Sequence, residues 1–153
     1  MKTLLELRKE MFKHHPAIKS GYFDSELKVK PPQSAAQLEK LIDEYCSLSG
    51  AECVKVYSGG RQLVKKTNVI DVIGWSNTIT DSKFIPGTTR AGTSDLIIIK
   101  NNKALFVEVK YSRSDRQNEN QKKFEDRQIS FGNTYVIVKS LDEFIEVFYR
   151  YYL

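Results

Sequence analysis

Apolar positions recur at helical spacing in four stretches of the chain, and in the stretches between them they alternate with polar residues or run together. Leu4, Leu5, Leu7, Met11 and Phe12 predict a short amphipathic helix over 3–13, stopped before Pro16. His14 and His15 follow at its exit; neighbours in sequence do not share a helix face, so they read as a solvated end. Pro31-Pro32 breaks the chain before Ser34, a good N-cap for a helix over 35–49 that Gly50 closes. That helix carries Leu38, Leu41, Ile42, Tyr45 and Leu48 on one side, with Glu39 at the border of the stripe. Cys53 to Tyr57 alternates as a strand does, up to Ser58-Gly59-Gly60. Val69 to Trp75 reads as another strand, and Ser76 to Gly92 as a polar, glycine-containing loop.

Two apolar runs come next, Ser94 to Lys100 and Lys103 to Tyr111, separated only by Asn101-Asn102. Asparagine tolerates positive φ, so this dipeptide suits the tight turn of a hairpin. Residues 117–131 predict a helix, Thr134 to Val138 a strand, and Leu141 to Tyr151 a last helix with Leu141, Phe144, Ile145 and Phe148 on one side. The order helix, strand, hairpin, helix, strand, helix predicts a mixed α/β single domain without internal repeats.

Composition narrows the class without naming it. The 153 residues fit one domain, and 41% hydrophobic content is too high for a disordered chain. No apolar run approaches the about 20 residues of a membrane-spanning helix, and Glu6 interrupts any signal-peptide core. Two cysteines, Cys46 and Cys53, without a CxxC spacing argue against a zinc site or disulfide framework, so a reducing cytoplasm is expected. A net charge of +5 permits a nucleic-acid partner.

The hairpin carries the chemistry. With Asn101 and Asn102 as the turn, Asp95 lies directly opposite Glu108, at a Cβ separation of about 4.5–5.5 Å where like charges repel. By the two-residue period, Asp95, Ile97 and Ile99 share a face with Ala104, Phe106, Glu108 and Lys110. The other face holds Leu96, Ile98, Leu105, Val107 and Val109. Both faces are apolar, which places the ribbon in the middle of the protein. Side-by-side buried carboxylates are costly. A divalent cation resolves that conflict, since Mg²⁺ takes hard oxygen ligands and acts on phosphoryl groups. Lys110 points the same way and can orient a water or hold a phosphate. The bland alternative, Asp95 as a strand cap and Glu108 paired with Lys110, explains one charged pair better than three charges at one end of one face.

Ser94-Asp95 followed after twelve residues by Glu108-Val109-Lys110 resembles the signature of the PD-(D/E)XK nuclease superfamily. Arg90-Ala91-Gly92-Thr93-Ser94-Asp95-Leu96-Ile97, Phe106-Val107-Glu108-Val109-Lys110, Gln121-Lys122-Lys123-Phe124 and Gly132-Asn133-Thr134-Tyr135-Val136-Ile137-Val138 together resemble its VRR-NUC branch. The resemblance runs from about Ser34 to Phe144 and departs at Ser94, where the family usually has proline. It implies a restriction-endonuclease-like single domain with a mixed central sheet flanked by helices, over 34–153, preceded by an N-terminal helix and extended arm over 1–33. It further implies Asp95 and Glu108 as metal ligands with the Val109 carbonyl as a third. Lys110 would position the attacking water, Gln121 would contact the site, and Glu39 would complete the metal shell. Two of these have plainer readings. Gln121 shares a helical stripe with Phe124, Gln128 and Phe131, and Glu39 shares its helix with the ordinary carboxylates Asp43 and Glu44.

Phosphate contacts come from Lys and Arg. Arg61, Lys65, Lys66 and Arg90 before the hairpin, and Arg113, Arg116, Lys122 and Lys123 after it, are the candidates. The expectation is a Mg²⁺-dependent DNA endonuclease, also served by Mn²⁺, selective for DNA structure such as a Holliday junction or flap. The family's small members resemble dimeric junction resolvases, so a homodimer is expected, with the N-terminal helix and the tail Phe148-Tyr149-Arg150-Tyr151-Tyr152 as candidate surfaces. The small size suggests a phage or mobile-element protein, acting in the host cytoplasm. The alternatives are a non-catalytic nucleic-acid-binding module that kept the fold, and a hydrolase acting on RNA.

Overall fold

The computed structural model describes residues 1–13, 28–57, 61–70, 76–85, 90–112 and 114–153. Helix α1 (Leu4–Phe12) begins on a capping box between Thr3 and Glu6, and α2 (Ala35–Leu48) begins on Ser34, whose hydroxyl accepts from the Gln37 N–H. Gly50, at φ +68°, ends α2 in the left-handed conformation that favours glycine. Strand β1 (Glu52–Lys55) follows, then β2 (Arg61–Ile70), β3 (Ser76–Ile85), β4 (Leu96–Lys100) and β5 (Lys103–Val109). Helix α3 (Glu119–Ser130), capped by Asn118, strand β6 (Thr134–Val138) and helix α4 (Leu141–Tyr152), capped by Ser140, complete the chain.

A four-stranded mixed sheet runs in the order β1-β4-β5-β6, its first three strands antiparallel and β6 parallel to β5 through the α3 crossover. The register of β4 on β5 is the expected one, with Leu96 opposite Val107 and Ile99 opposite Ala104. Asn101 and Asn102 both take positive φ, as a type I′ turn requires. Leu96, Ile98, Leu105, Val107 and Val109 face a core filled by Leu38, Ile42, Tyr45 and Cys46 of α2 and Phe144, Ile145, Phe148 and Tyr152 of α4. Burying each such side chain fully contributes about 1.5–3 kcal/mol. The opposite face is covered at one end by α3, where Phe124 meets the ring edges of Phe106 and Tyr135.

The hairpin strands are thus the two inner strands of the sheet, but the expectation of two apolar, covered faces holds for one face only. On the other, α3 does not reach the turn end, and Ile99 is 44% exposed. A second difference lies between β1 and β4. Ser76–Ile85 is not a loop but a ten-residue strand, paired with β2 from Arg61↔Ile85 to Ile70↔Ser76 in a separate two-stranded sheet. Of the strand expected over Val69–Trp75, Val69 and Ile70 end β2; residues 71–75 lie outside the described residues, as do His14 and His15.

The N-terminal helix and the C-terminal tail both fold onto the main body. Leu4 joins the core, the Lys2 N–H donates to the Tyr149 hydroxyl, and Arg8 forms a two-point ion pair with Glu44 of α2. Tyr151 and Tyr152 donate to the Ala104 and Ile98 carbonyls, so the tyrosine-rich tail packs on its own sheet. No helix among the described residues is long and apolar enough to cross a membrane.

Candidate active site

Four side chains meet at the end of the β4–β5 hairpin remote from its turn. Asp95, just before β4, accepts from the Val109 N–H at 2.9 Å, and its carbonyl accepts from the Val56 N–H at 2.8 Å. The β1–β4 pairing therefore continues to Asp95, which directly precedes the Leu96–Val107 pair and lies close enough to Glu108 to act on its charge. Glu108 is 1% exposed. Its Oε1 takes the Lys110 ammonium at 2.8 Å and the Gln121 amide, and its Oε2 accepts from the Tyr135 hydroxyl at 3.2 Å.

Gln121 is held by its place in α3. As the third residue of the helix it closes a capping box, its Oε1 accepting from the Asn118 N–H at 2.9 Å. The same oxygen takes the Lys110 ammonium at 3.3 Å, while its amide nitrogen donates to Glu108. Gly92 lets α3 come this close. At φ +84°, a Cβ there would collide with the Asn120 carbonyl and stand 2.6 Å from the Gln121 nitrogen. Ser94, next to Asp95, is fully buried and its hydroxyl donates to the Leu96 carbonyl.

The electrostatics show the cost of this grouping. Burial pushes the Glu108 carboxyl above its ordinary value, the hydrogen bond from Lys110 pulls it back, and the charge of Asp95 raises it again. Asp95 is likewise pushed up, first by burial; the Val109 N–H lowers it and the Glu39 charge raises it. Burial pushes the Tyr135 hydroxyl upward as well, so it stays a donor to Glu108 at neutral pH.

Glu39 lies on the other side of the sheet, where its carboxylate pairs with the Lys55 ammonium of β1. It is close enough to Asp95 to act on its charge. Among the described residues, no three Asp, Glu, His or Cys side chains are grouped as a ready metal cluster. The donor set nonetheless suits a hard divalent cation. Asp95 and Glu108 are neighbouring, desolvated carboxylates, the charge of Asp95 disfavouring that of Glu108, and Val109 with its carbonyl directly follows Glu108 in sequence. These are the groups that would hold such an ion. Bound there, it would supply Lewis acidity and a more acidic water. Lys110, anchored by Glu108 and Gln121, is the group that can orient a nucleophile or bind a phosphate oxygen.

Some of the basic candidates lie in clefts near this centre. Lys122 and Arg116 line a cleft with Lys110, and Arg90 lines another with Asn120 and Lys123 at the start of α3. Lys65 is exposed on β2 opposite Asp81, and Arg61 and Lys66 occupy the same strand. Arg113 lies outside the described residues. Two contributors were not singled out by sequence, Lys55 and Tyr135. Lys55 had a signal, a lone cation ending the alternation of β1. Tyr135 had none, because the parallel register of β6 on β5 is set by a crossover and not by a turn.

No protein-family model matches the chain, and searches of curated proteins and of solved structures return no match.

Proposed function

We propose that this protein is a divalent-metal-dependent DNA endonuclease with a restriction-endonuclease-like fold, of the PD-(D/E)XK superfamily and its VRR-NUC branch. One observation carries the reading: residues that the motif resemblance singles out from three separate segments, Asp95, Glu108-Val109-Lys110 and Gln121, are joined in one hydrogen-bonded group. Two neighbouring carboxylates are an expensive feature for a protein that only binds, since neither contributes to phosphate affinity. For hydrolysis they have a use. Asp95, Glu108 and the Val109 carbonyl would hold Mg²⁺ or Mn²⁺, which would supply Lewis acidity, and Lys110 would position a water for in-line attack on phosphorus as the P–O bond to the leaving strand oxygen breaks. Gln121 fixes Lys110 and Glu108 relative to each other. Glu39 joins the shell through water or by leaving Lys55.

The helix–three antiparallel strands–crossover helix–parallel strand order, with helices on both faces, supports the fold assignment. No base-reading module occurs in the sequence, which favours recognition of DNA shape, such as a four-way junction or flap, by a homodimer. The test is cleavage of labelled single-stranded, duplex, flap and four-way-junction DNA with Mg²⁺, Mn²⁺ or EDTA. Metal-dependent cutting, strongest on one branched substrate, is the expected result. DNA binding without cutting in any metal would make the protein a binding module that kept the fold.

A further inference from the structure

The cations that sequence proximity recommends all follow β1. The structure holds another set, in the arm before α2 and on α2 itself. Residues Lys28, Lys30 and Lys40 surround a groove of about 610 Å³ between α1, the arm and α2. Among the described residues its one carboxylate, Glu44, is already neutralised by the two-point pair with Arg8 at 2.6 and 2.7 Å. Among the described residues, four cations against one carboxylate leave three net positive charges. The three lysines are exposed and make no ion pair among the described residues. Like charges gathered without counterions repel, and an anionic ligand relieves that repulsion.

The groove is not remote from the candidate site. The Tyr111 hydroxyl donates to the Pro32 carbonyl at 2.7 Å, tying the arm to the residue that follows Lys110. On its other side Lys110 lines the cleft shared with Arg116, Lys122 and Lys139. Basic depressions therefore adjoin Lys110 directly and Tyr111 through Pro32.

We infer that the arm groove is a phosphate-backbone site, in which Lys28, Lys30 and Lys40 hold the DNA strand that continues past Lys110 into the Arg116–Lys122 cleft. The inference rests on the nuclease reading of the site and extends it to a surface that the motif does not include. Pro31 and Pro32 stiffen the arm, so the lysines are presented with little ordering cost on binding.

The experiment measures affinity for junction and duplex DNA in EDTA, where cutting is absent, across a series of KCl concentrations. The proteins are the wild type, the triple variant Lys28→Ala/Lys30→Ala/Lys40→Ala, the matching triple arginine variant, and Lys103→Ala as a charge control at the hairpin turn. The alanine triple should bind about tenfold or more weakly near 0.1 M salt, with the salt slope reduced by about 0.9 for each phosphate left without its lysine. The arginine triple should restore binding, and Lys103→Ala should leave it unchanged. Wild-type binding with an unaltered slope in the alanine triple would overturn the groove site and leave the nuclease reading standing. Groove-dependent binding by a wild type that cuts nothing with Mg²⁺ would uphold the groove and sink the nuclease reading. Absence of any wild-type binding would overturn the groove.

Discussion

The two faces of the β4–β5 hairpin are built from alternate residues of the same strands and do opposite things. One face, Leu96, Ile98, Leu105, Val107 and Val109, is buried against α2 and α4 and carries no polar group. The other begins with Ile99 half in water and ends with Asp95, Glu108 and Lys110 crowded under α3. Burial stabilises on the first face. On the second it works against the charges it covers, raising both carboxyls above their ordinary values. Stability on one face thus supports an unfavourable arrangement on the other, the pattern expected where strain is kept for function.

Substitutions can test this division, beginning with the largest effect. Leu105→Ala, on the core face, should cost about 2–5 kcal/mol of unfolding free energy through lost burial and a cavity. Urea unfolding followed by circular dichroism measures it. If the loss were under about 1 kcal/mol, the core face would not be the source of stability claimed for it.

Gly92→Ala acts at the junction between the faces. An alanine at positive φ, with its Cβ driven into the Asn120 carbonyl, should cost about 1–3 kcal/mol and push α3 outward. Gln121 would then lose its hold on Lys110. Cleavage should fall more steeply than stability, which parallel melting and activity measurements would reveal. A fall in stability with activity per folded molecule unchanged would remove Gln121 from the account.

The smallest effect has the opposite sign. A carboxylate whose folded pKa is raised binds more protons in the native state than in the unfolded one. Stability is therefore greatest below the unfolded pKa, declines as pH rises through the window between the two values, and stays lower above it. Asp95→Asn keeps an oxygen to accept from the Val109 N–H and removes the charge, so it should melt slightly higher than wild type at pH 7 and lose that advantage in acid. Mg²⁺ should raise the melting temperature of the wild type and not of Asp95→Asn, because a ligand of the native state alone stabilises by mass action. A variant that melted lower at pH 7 and still responded to Mg²⁺ would take Asp95 out of the metal site.

How far the sequence reached follows from the kind of constraint at each place. The Asn101-Asn102 turn sets the register of β4 on β5 locally, so the approach of Asp95 to Glu108 was legible in the residues themselves. The caps at Ser34 and Gly50 were legible for the same reason. Strand β3 was not. Ser76, Asn77, Thr78, Thr80, Asp81 and Ser82 fill most of it, and Thr78, Thr80, Asp81, Ser82 and Lys83 are exposed, so its sequence lacks the sustained apolar alternation of a half-buried strand and reads as a loop. The pairing of Glu39 with Lys55 depends on how α2 crosses β1, a tertiary relation that helical spacing alone does not contain. The arm groove escaped for a similar reason. Lys28, Lys30 and Lys40 meet around the groove only in the folded chain, and the arm is tied to the residue after Lys110 by the hydrogen bond between Tyr111 and Pro32.

In the proposed nuclease, Lys110, held by Glu108 and Gln121, serves hydrolysis and not folding. That role is tested most directly by comparing wild type and Lys110→Ala for DNA cleavage with Mg²⁺ and, on the same samples, for DNA binding and melting temperature. The account predicts cleavage reduced by about 10²–10⁴-fold, the range for a positioned group that assists proton transfer, with binding and melting nearly unchanged. Equal Mg²⁺-dependent cleavage by the two proteins, or none by either while both bind DNA, would contradict it.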